Sequence, residues 1–352
     1  MLRKQKPYLA VLFMQLSFAG MFLLSKLTIS GSGMKLPIFV AYRQAFAAVA
    51  LAPLVFICRE SSATTPLSWL AYFKLFVISS SGLTLALNLI FAGLKYTSAT
   101  FAAAILNIGP VFVFLMSVVS RVEKLCIREW HGMAKVLGTM FGFIGVMVFT
   151  FYKGPSLFSA SSNHENSHPL DEKTINKDWI KGSSLMLAGQ FTWSMWLTMQ
   201  GPLLKQYPGK LRLTFLQMSF SFVSAMIYAG SVERSISSWK LGWNVNLLTV
   251  AYCGIIVNGL DYWLQAWVVE KKGAVFSVNF SPFATIFAAI LSAIFLKETL
   301  NMGSVVGGLL LIGGLYSFLW GRRKEAQQDL DNSKGEAHLE TIVTATDDGE
   351  RR

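Results

Sequence analysis

Inside one long apolar run, Asn258, Asp261 and Gln265 stand at i, i+3 and i+7. A helix places residues so spaced on one face. A second run repeats the idea with Ser81, Thr84 and Asn88, and two others contribute Gln15 and Gln190, the latter beside Trp193 and Trp196. What these side chains offer is hydrogen bonding and charge pairing for a polar solute withdrawn from water. They do not form a nucleophile–base set, and the four histidines sit in or beside loops without ligand spacing, so neither a metal site nor a cofactor is expected. Polar groups in hydrocarbon are costly, so each needs a partner, a water-filled cavity or a role. Two uses fit each residue: packing glue between helices, on the order of 0.6–2 kcal/mol apiece, or the lining of a shared cavity. For the set as a whole the matched glutamines favour the cavity.

Two charges and two prolines extend the candidate site. Asp261 lies well inside its run, where insertion of a charge costs about 2.5–3.5 kcal/mol. Arg43 lies several residues into another run. It either snorkels to the interface on its long stem or holds a carboxylate with its bidentate fork. A direct Arg43–Asp261 bridge is not expected, because helix rise sets them on the order of 10 Å apart in depth. Asn107-Ile108-Gly109-Pro110 and Asn279-Phe280-Ser281-Pro282 are paired Asn-x-x-Pro motifs. Pro110 and Pro282 cannot donate to Leu106 and Val278, so each helix kinks there. Asn107 and Asn279, one turn earlier, are placed to cap the freed backbone or to face a ligand. The kinks suit either a flexing gate or static packing.

The elements that must carry these residues are membrane helices. The chain of 352 residues is 53% hydrophobic and only 14% charged, too little polar surface for a soluble domain, which carries about 25% charged residues. Ten apolar runs have spanning length, at about 8–28, 37–57, 70–92, 98–120, 132–152, 180–200, 212–232, 247–268, 274–296 and 303–320. Net charge is +12, but its placement argues against nucleic acid: Lys and Arg gather at both termini and in the even-numbered loops, as at Arg121, Lys124, Arg128, Lys271 and Lys272. That bias predicts cytosolic termini. Residues 153–179 read as a polar extracytosolic linker, and 321–352 as a disordered cytosolic tail.

The runs are also a duplication at a fixed offset of 175 residues. Gln15 recurs as Gln190, Phe101 as Phe276, Ser117 as Ser292, Glu123 as Glu298 and Gly138 as Gly313. Residues 1–152 form the first five-helix unit and 180–320 the second. A unit with an odd number of spans enters the membrane in opposite senses in its two copies. The expected fold is therefore an all-α polytopic membrane protein of ten transmembrane helices in two inverted repeats.

Leu94–Pro110 (LKYTSATFAAAILNIGP) and Glu270–Thr299 (EKKGAVFSVNFSPFATIFAAILSAIFLKET) resemble EamA repeats of the drug/metabolite transporter superfamily. With Ala41-Tyr42-Arg43-Gln44, the resemblance narrows to the plant nodulin-like EamA group, the walls-are-thin-related or UMAMIT proteins, over about residues 5–320. It implies alternating-access movement of small metabolites, typically amino acids, with auxin-type compounds in some members. It also implies the plasma membrane, or alternatively the vacuolar membrane. The expected substrate-binding residues are Gln15, Arg43, Asn88, Asn107, Gln190, Trp193, Asn258, Asp261 and Asn279, gated at Pro110 and Pro282. The expected partners are a small-molecule substrate and the lipid bilayer, not nucleic acid, with a homodimer left open. Carriers of phosphorylated or nucleotide sugars are the nearer rival, but they call for several basic cavity residues and only Arg43 qualifies. An enzyme is not expected.

Overall fold

A computed structural model describes residues 2–32, 34–57, 68–94, 96–97, 105–122, 129–152, 172–207, 209–242, 244–295 and 302–350, and among these every regular element is helical. The helices are α1 (Leu2–Ser32), α2 (Leu36–Ile57), α3 (Trp69–Leu94), α4 (Gly109–Val119), α5 (Trp130–Phe151), α6 (Glu172–Gln206), α7 (Lys210–Val232), α8 (Val245–Lys272), α9 (Ala274–Phe295) and α10 (Met302–Glu350). Eight of them are long and apolar enough to cross a membrane. The other two expected spans fall short of that measure for separate reasons. α4 starts only after the turn at Asn107–Ile108, and residues 98–104 before it lie outside the described residues. α6 is 35 residues long but carries Gln190, Thr192, Ser194, Thr198 and Gln200 through its middle. Phe101, Glu123, Glu298 and the linker up to residue 171 are likewise outside the described residues.

Two boundaries differ from expectation. α6 begins at Glu172, so the last part of the linker is helical, and α10 runs on to Glu350 where a structureless tail was expected. No proline interrupts that tail, and its Lys, Glu, Ala and Gln residues are good helix formers, so the last span simply propagates.

Neither α3 nor α8 is a regular helix. Ser80–Leu85 in α3 and Cys253–Asp261 in α8 are π-helical. A shift of 175 residues carries the first segment into the second. Each π turn inserts a residue and rotates the downstream side chains off the 3.6-residue stripe. α9 breaks at Phe280–Ser281, and Asn107–Ile108 form the equivalent turn before α4. The Val278 carbonyl freed by Pro282 accepts instead from the Ser281 amide at 2.9 Å, and the next short turn, from the Phe283 amide to the Phe280 carbonyl at 3.0 Å, has its counterpart from the Val111 amide to the Ile108 carbonyl at 3.0 Å.

Most contacts between helices read the same when the two halves are exchanged; the packing of α6 on α8 and α9 is the exception, which α1 does not match in extent on α3 and α4. α1 packs on α8 and α9 as α6 packs on α3 and α4, and α2 on α8 as α7 on α3. The pairs α2–α7, α4–α9 and α5–α10 map onto themselves. The α5–α10 contact is a close one. A Cβ on Gly138 would lie 2.5 Å from the Phe318 amide nitrogen, and one on Gly314 would lie 2.5 Å from that of Gly142. Small residues let backbones approach where hydrocarbon supplies no hydrophobic drive between helices. At one end of this seam Lys135, fully buried, pairs with Glu325 at 2.7 Å.

Candidate functional site

The densest polar cluster lies where α2 crosses the π segment of α8. Gly254 makes the crossing close, since a Cβ there would meet the Phe46 Cβ at 2.4 Å and the Arg43 carbonyl at 2.8 Å. Arg43 is 4% exposed and does not snorkel: its Nη2 donates to Asn258 Oδ1 at 2.6 Å. Asn258 Nδ2 in turn donates to Gln44 Oε1 at 3.2 Å. Arg43 Nε and Gln44 Nε2 remain buried without acceptors.

Three residues beyond Asn258, Asp261 is wholly buried and neither carboxyl oxygen has a hydrogen-bond partner. Ser17 of α1 faces it, but the Ser17 hydroxyl donates to the Phe13 carbonyl at 3.1 Å. As expected, Arg43 and Asp261 form no ion pair. Tyr262 lies beside Arg43, Asp261 and Trp193, and its ring meets Trp196 at 5.4 Å. Gln265 Oε1 is a further buried acceptor without a donor. Unpaired buried groups are expensive, at about 1–3 kcal/mol for each neutral one and more for a charge. A cluster holding unpaired donors and unpaired acceptors together is therefore arranged to be completed by something that brings the opposite groups.

A second cluster joins the two helix breaks. Asn107, Pro110, Asn279 and Pro282 line one small pocket with Thr139 of α5 and Leu311 of α10. Asn107 exchanges amide hydrogen bonds of 3.4 Å with Thr285 across the break. Asn279 Nδ2 is spent on the Val275 carbonyl at 2.8 Å, in its own helix. Gln190 and Trp193 sit between the clusters: a Cβ on Gly109 would lie 2.6 Å from Gln190 Nε2 and 3.6 Å from the Trp193 ring.

The structure thus unites Arg43, Asn258 and Asp261 in one place and Asn107, Asn279, Pro110 and Pro282 in another, with Gln190 and Trp193 beside Gly109. It does not bring in Asn88, whose Nδ2 donates to the Thr84 carbonyl at 2.8 Å within α3. Gln15 is buried on α1. Sequence reading missed Gln44, Tyr262 and the Gln200–Gln217 pair of α6 and α7, at 3.2 Å. Gln44 had a signal, an amide beside a buried arginine. The Gln200–Gln217 pairing had none short of the packing itself.

Comparison with known proteins agrees with this architecture. Residues 5–151 and 180–320 match the EamA-like transporter family, one match per half. A WAT1-related protein of Arabidopsis thaliana is 46% identical over 329 residues, covering 93% of this chain and 94% of the relative. Another from the same plant is 41% identical over 339 residues, covering 94% of each. One solved crystal structure superposes with a TM-score of 0.67 over 90% of this chain and 99% of its own, at 16% identity, a likeness of fold alone. The chain belongs to the EamA-like transporter family, and with its WAT1-related kin it is an integral, multi-pass membrane transporter of the drug/metabolite superfamily, of plant type.

Proposed function

We propose that this EamA-family chain is a secondary transporter of amino acids, working by alternating access between two inverted repeats. The observation that carries the reading is the burial, at the α2–α8 crossing, of opposite and incompletely satisfied groups that do not pair with each other. Arg43 is held by Asn258, and neither oxygen of Asp261, three residues on, accepts a hydrogen bond. A zwitterion brings a carboxylate to the guanidinium fork and an ammonium to the carboxylate, and so completes both. Trp196 and Tyr262 supply an aromatic wall for the side chain. The inverted arrangement is supported by contacts that survive exchange of the halves and by the matched π turns of α3 and α8. Two units facing each other in this way can open a shared site to either side by rocking. Asp261 is the proton-coupling group in this scheme, since a proton or a substrate ammonium must accompany its charge. The termini are cytosolic on the basis of the Lys and Arg bias, and the plasma membrane is the proposed location.

The aromatic wall favours one second reading, an indole carboxylate or related aromatic acid, which uses Arg43 but leaves Asp261 unanswered. Uptake of a labelled panel into proteoliposomes separates the two: zwitterionic amino acids as competing substrates support the first reading, and competition by indole carboxylates alone overturns it.

A further inference from the structure

At the end of the bundle where α1 begins, α8 turns into α9 and α10 leaves its apolar stretch, three cations are matched to acids. Lys210 pairs with Glu270 at 3.2 Å, Lys271 with the same Glu270 at 4.0 Å, and Lys135 with Glu325 at 2.7 Å. Two half-buried cations there have no carboxylate partner among the described residues. Lys272 Nζ stands 6.0 Å from the centroid of the Tyr8 ring, and the Arg322 guanidinium carbon stands 5.7 Å from that of Phe276. Tyr8 and Phe276 meet edge to face at 5.2 Å, so the two cations flank one aromatic pair.

Arg322 is also incompletely satisfied, with Nη1 buried and without an acceptor. Its Nη2 lies 3.5 Å from where a Cβ would stand on Gly273, the residue that joins α8 to α9 with a φ of +83°. A side chain at Gly273 would strain the backbone, and its Cβ would stand in van der Waals contact with the guanidinium.

Ring faces hold these cations in place without neutralising them. What the pair lacks is an anion that can accept from a planar fork and a nearby ammonium together, and phosphate has that geometry. Arg322 follows the apolar run 303–320 by two residues, near the C-terminal end of the segment Val305–Gln328, where a spanning helix passes from hydrocarbon to the headgroup layer. We propose that Arg322 and Lys272 bind the phosphate of an anionic lipid headgroup at the membrane–water boundary, beside the Gly273 turn. α8 carries Asn258 and Asp261, and α9 carries the Asn279–Pro282 break, so a lipid seated here bears on both helices through the turn that joins them. The inference rests on the chain spanning a membrane and not on what it transports.

The test uses the purified full chain in an uncharged detergent, titrated separately with phosphatidylserine, phosphatidylinositol 4-phosphate, phosphatidylcholine and inorganic phosphate while the unfolding temperature is followed. The two anionic lipids raise it saturably, and phosphatidylcholine and inorganic phosphate do not. In Lys272→Gln/Arg322→Gln the half-saturating concentration of anionic lipid rises by about fivefold for each cation removed, whereas Arg323→Gln/Lys324→Gln, which removes two exposed neighbours, shifts it by less than about twofold. Should the first pair fail to fold, Lys272→Gln alone carries the same expected fivefold step, since that side chain is only half buried. Equal weakening by both pairs, an unchanged response of the Lys272 and Arg322 variants, or saturation by inorganic phosphate alone overturns the proposal.

Discussion

Replacing Arg43 by glutamine removes the one cation buried at the α2–α8 crossing. Arg43 is 4% exposed, and its Nη2 is engaged by Asn258 at 2.6 Å while Nε has no acceptor, so part of the fork is free for a ligand. A hydrogen bond from a charged group is worth about 1.5–3 kcal/mol. If that bond is made to the substrate carboxylate, its loss raises the apparent KM by about 10- to 150-fold. Folding also loses something, because Asn258 Oδ1 is left buried without its donor, at about 1–3 kcal/mol. Uptake into proteoliposomes over a range of substrate concentrations reads the first effect, and unfolding in detergent reads the second. Two controls separate binding from packing. Asn258→Asp keeps the guanidinium but occupies it with a fixed carboxylate, so KM rises while the fold holds. An analogue of the substrate without its carboxylate is transported equally by wild type and Arg43→Gln. An Arg43→Gln protein that folds and transports with unchanged KM refutes the assignment.

Asp261→Asn keeps the shape of the side chain and removes its ability to carry a proton. Transport by this variant is expected to lose its response to an imposed pH gradient, and a full response would reject Asp261 as the coupling group. The α5–α10 seam makes a separate prediction. Removing either Lys135 or Glu325 alone leaves a buried charge uncompensated, and Glu325 keeps 19% of its side chain exposed. Lys135→Met is therefore expected to lower stability by about 3 kcal/mol, near the low end for broken buried pairs. Lys135→Met/Glu325→Leu recovers most of it, as measured by denaturant unfolding. A double variant no more stable than the single one removes the pair from the account of that seam.

The membrane class, the polar residues of α8 and the paired breaks were legible because each leaves a mark on the sequence: hydropathy, polar side chains inside an apolar run, and proline. The π turns were not. Periodicity arguments assume 3.6 residues per turn, and a π segment inside an apolar run changes no residue type. Asn88 shows the consequence, since it lies on the same apparent stripe as Ser81 and Thr84 but is spent on the Thr84 carbonyl just past the turn. α6 illustrates the reverse case. Residues 180–200 read as an apolar run, yet the whole helix, with its Gln, Thr and Ser residues, is too polar to count among the eight spans. The Lys135–Glu325 pair was hidden because Glu325 falls in what reads as a polar tail, and only the continuation of α10 brings it back to α5.

Everything proposed for transport depends on the two halves lying in the membrane in opposite senses. Tyr96 and Lys271 differ by 175 residues, follow or end corresponding helices, and are both exposed. Single cysteines at these positions, in a chain with Cys58, Cys126 and Cys253 replaced by serine, can be labelled in sealed cells with a maleimide that does not cross membranes. The account predicts that Tyr96→Cys reacts from outside and Lys271→Cys reacts only after permeabilisation. Reaction of both from the same side contradicts it.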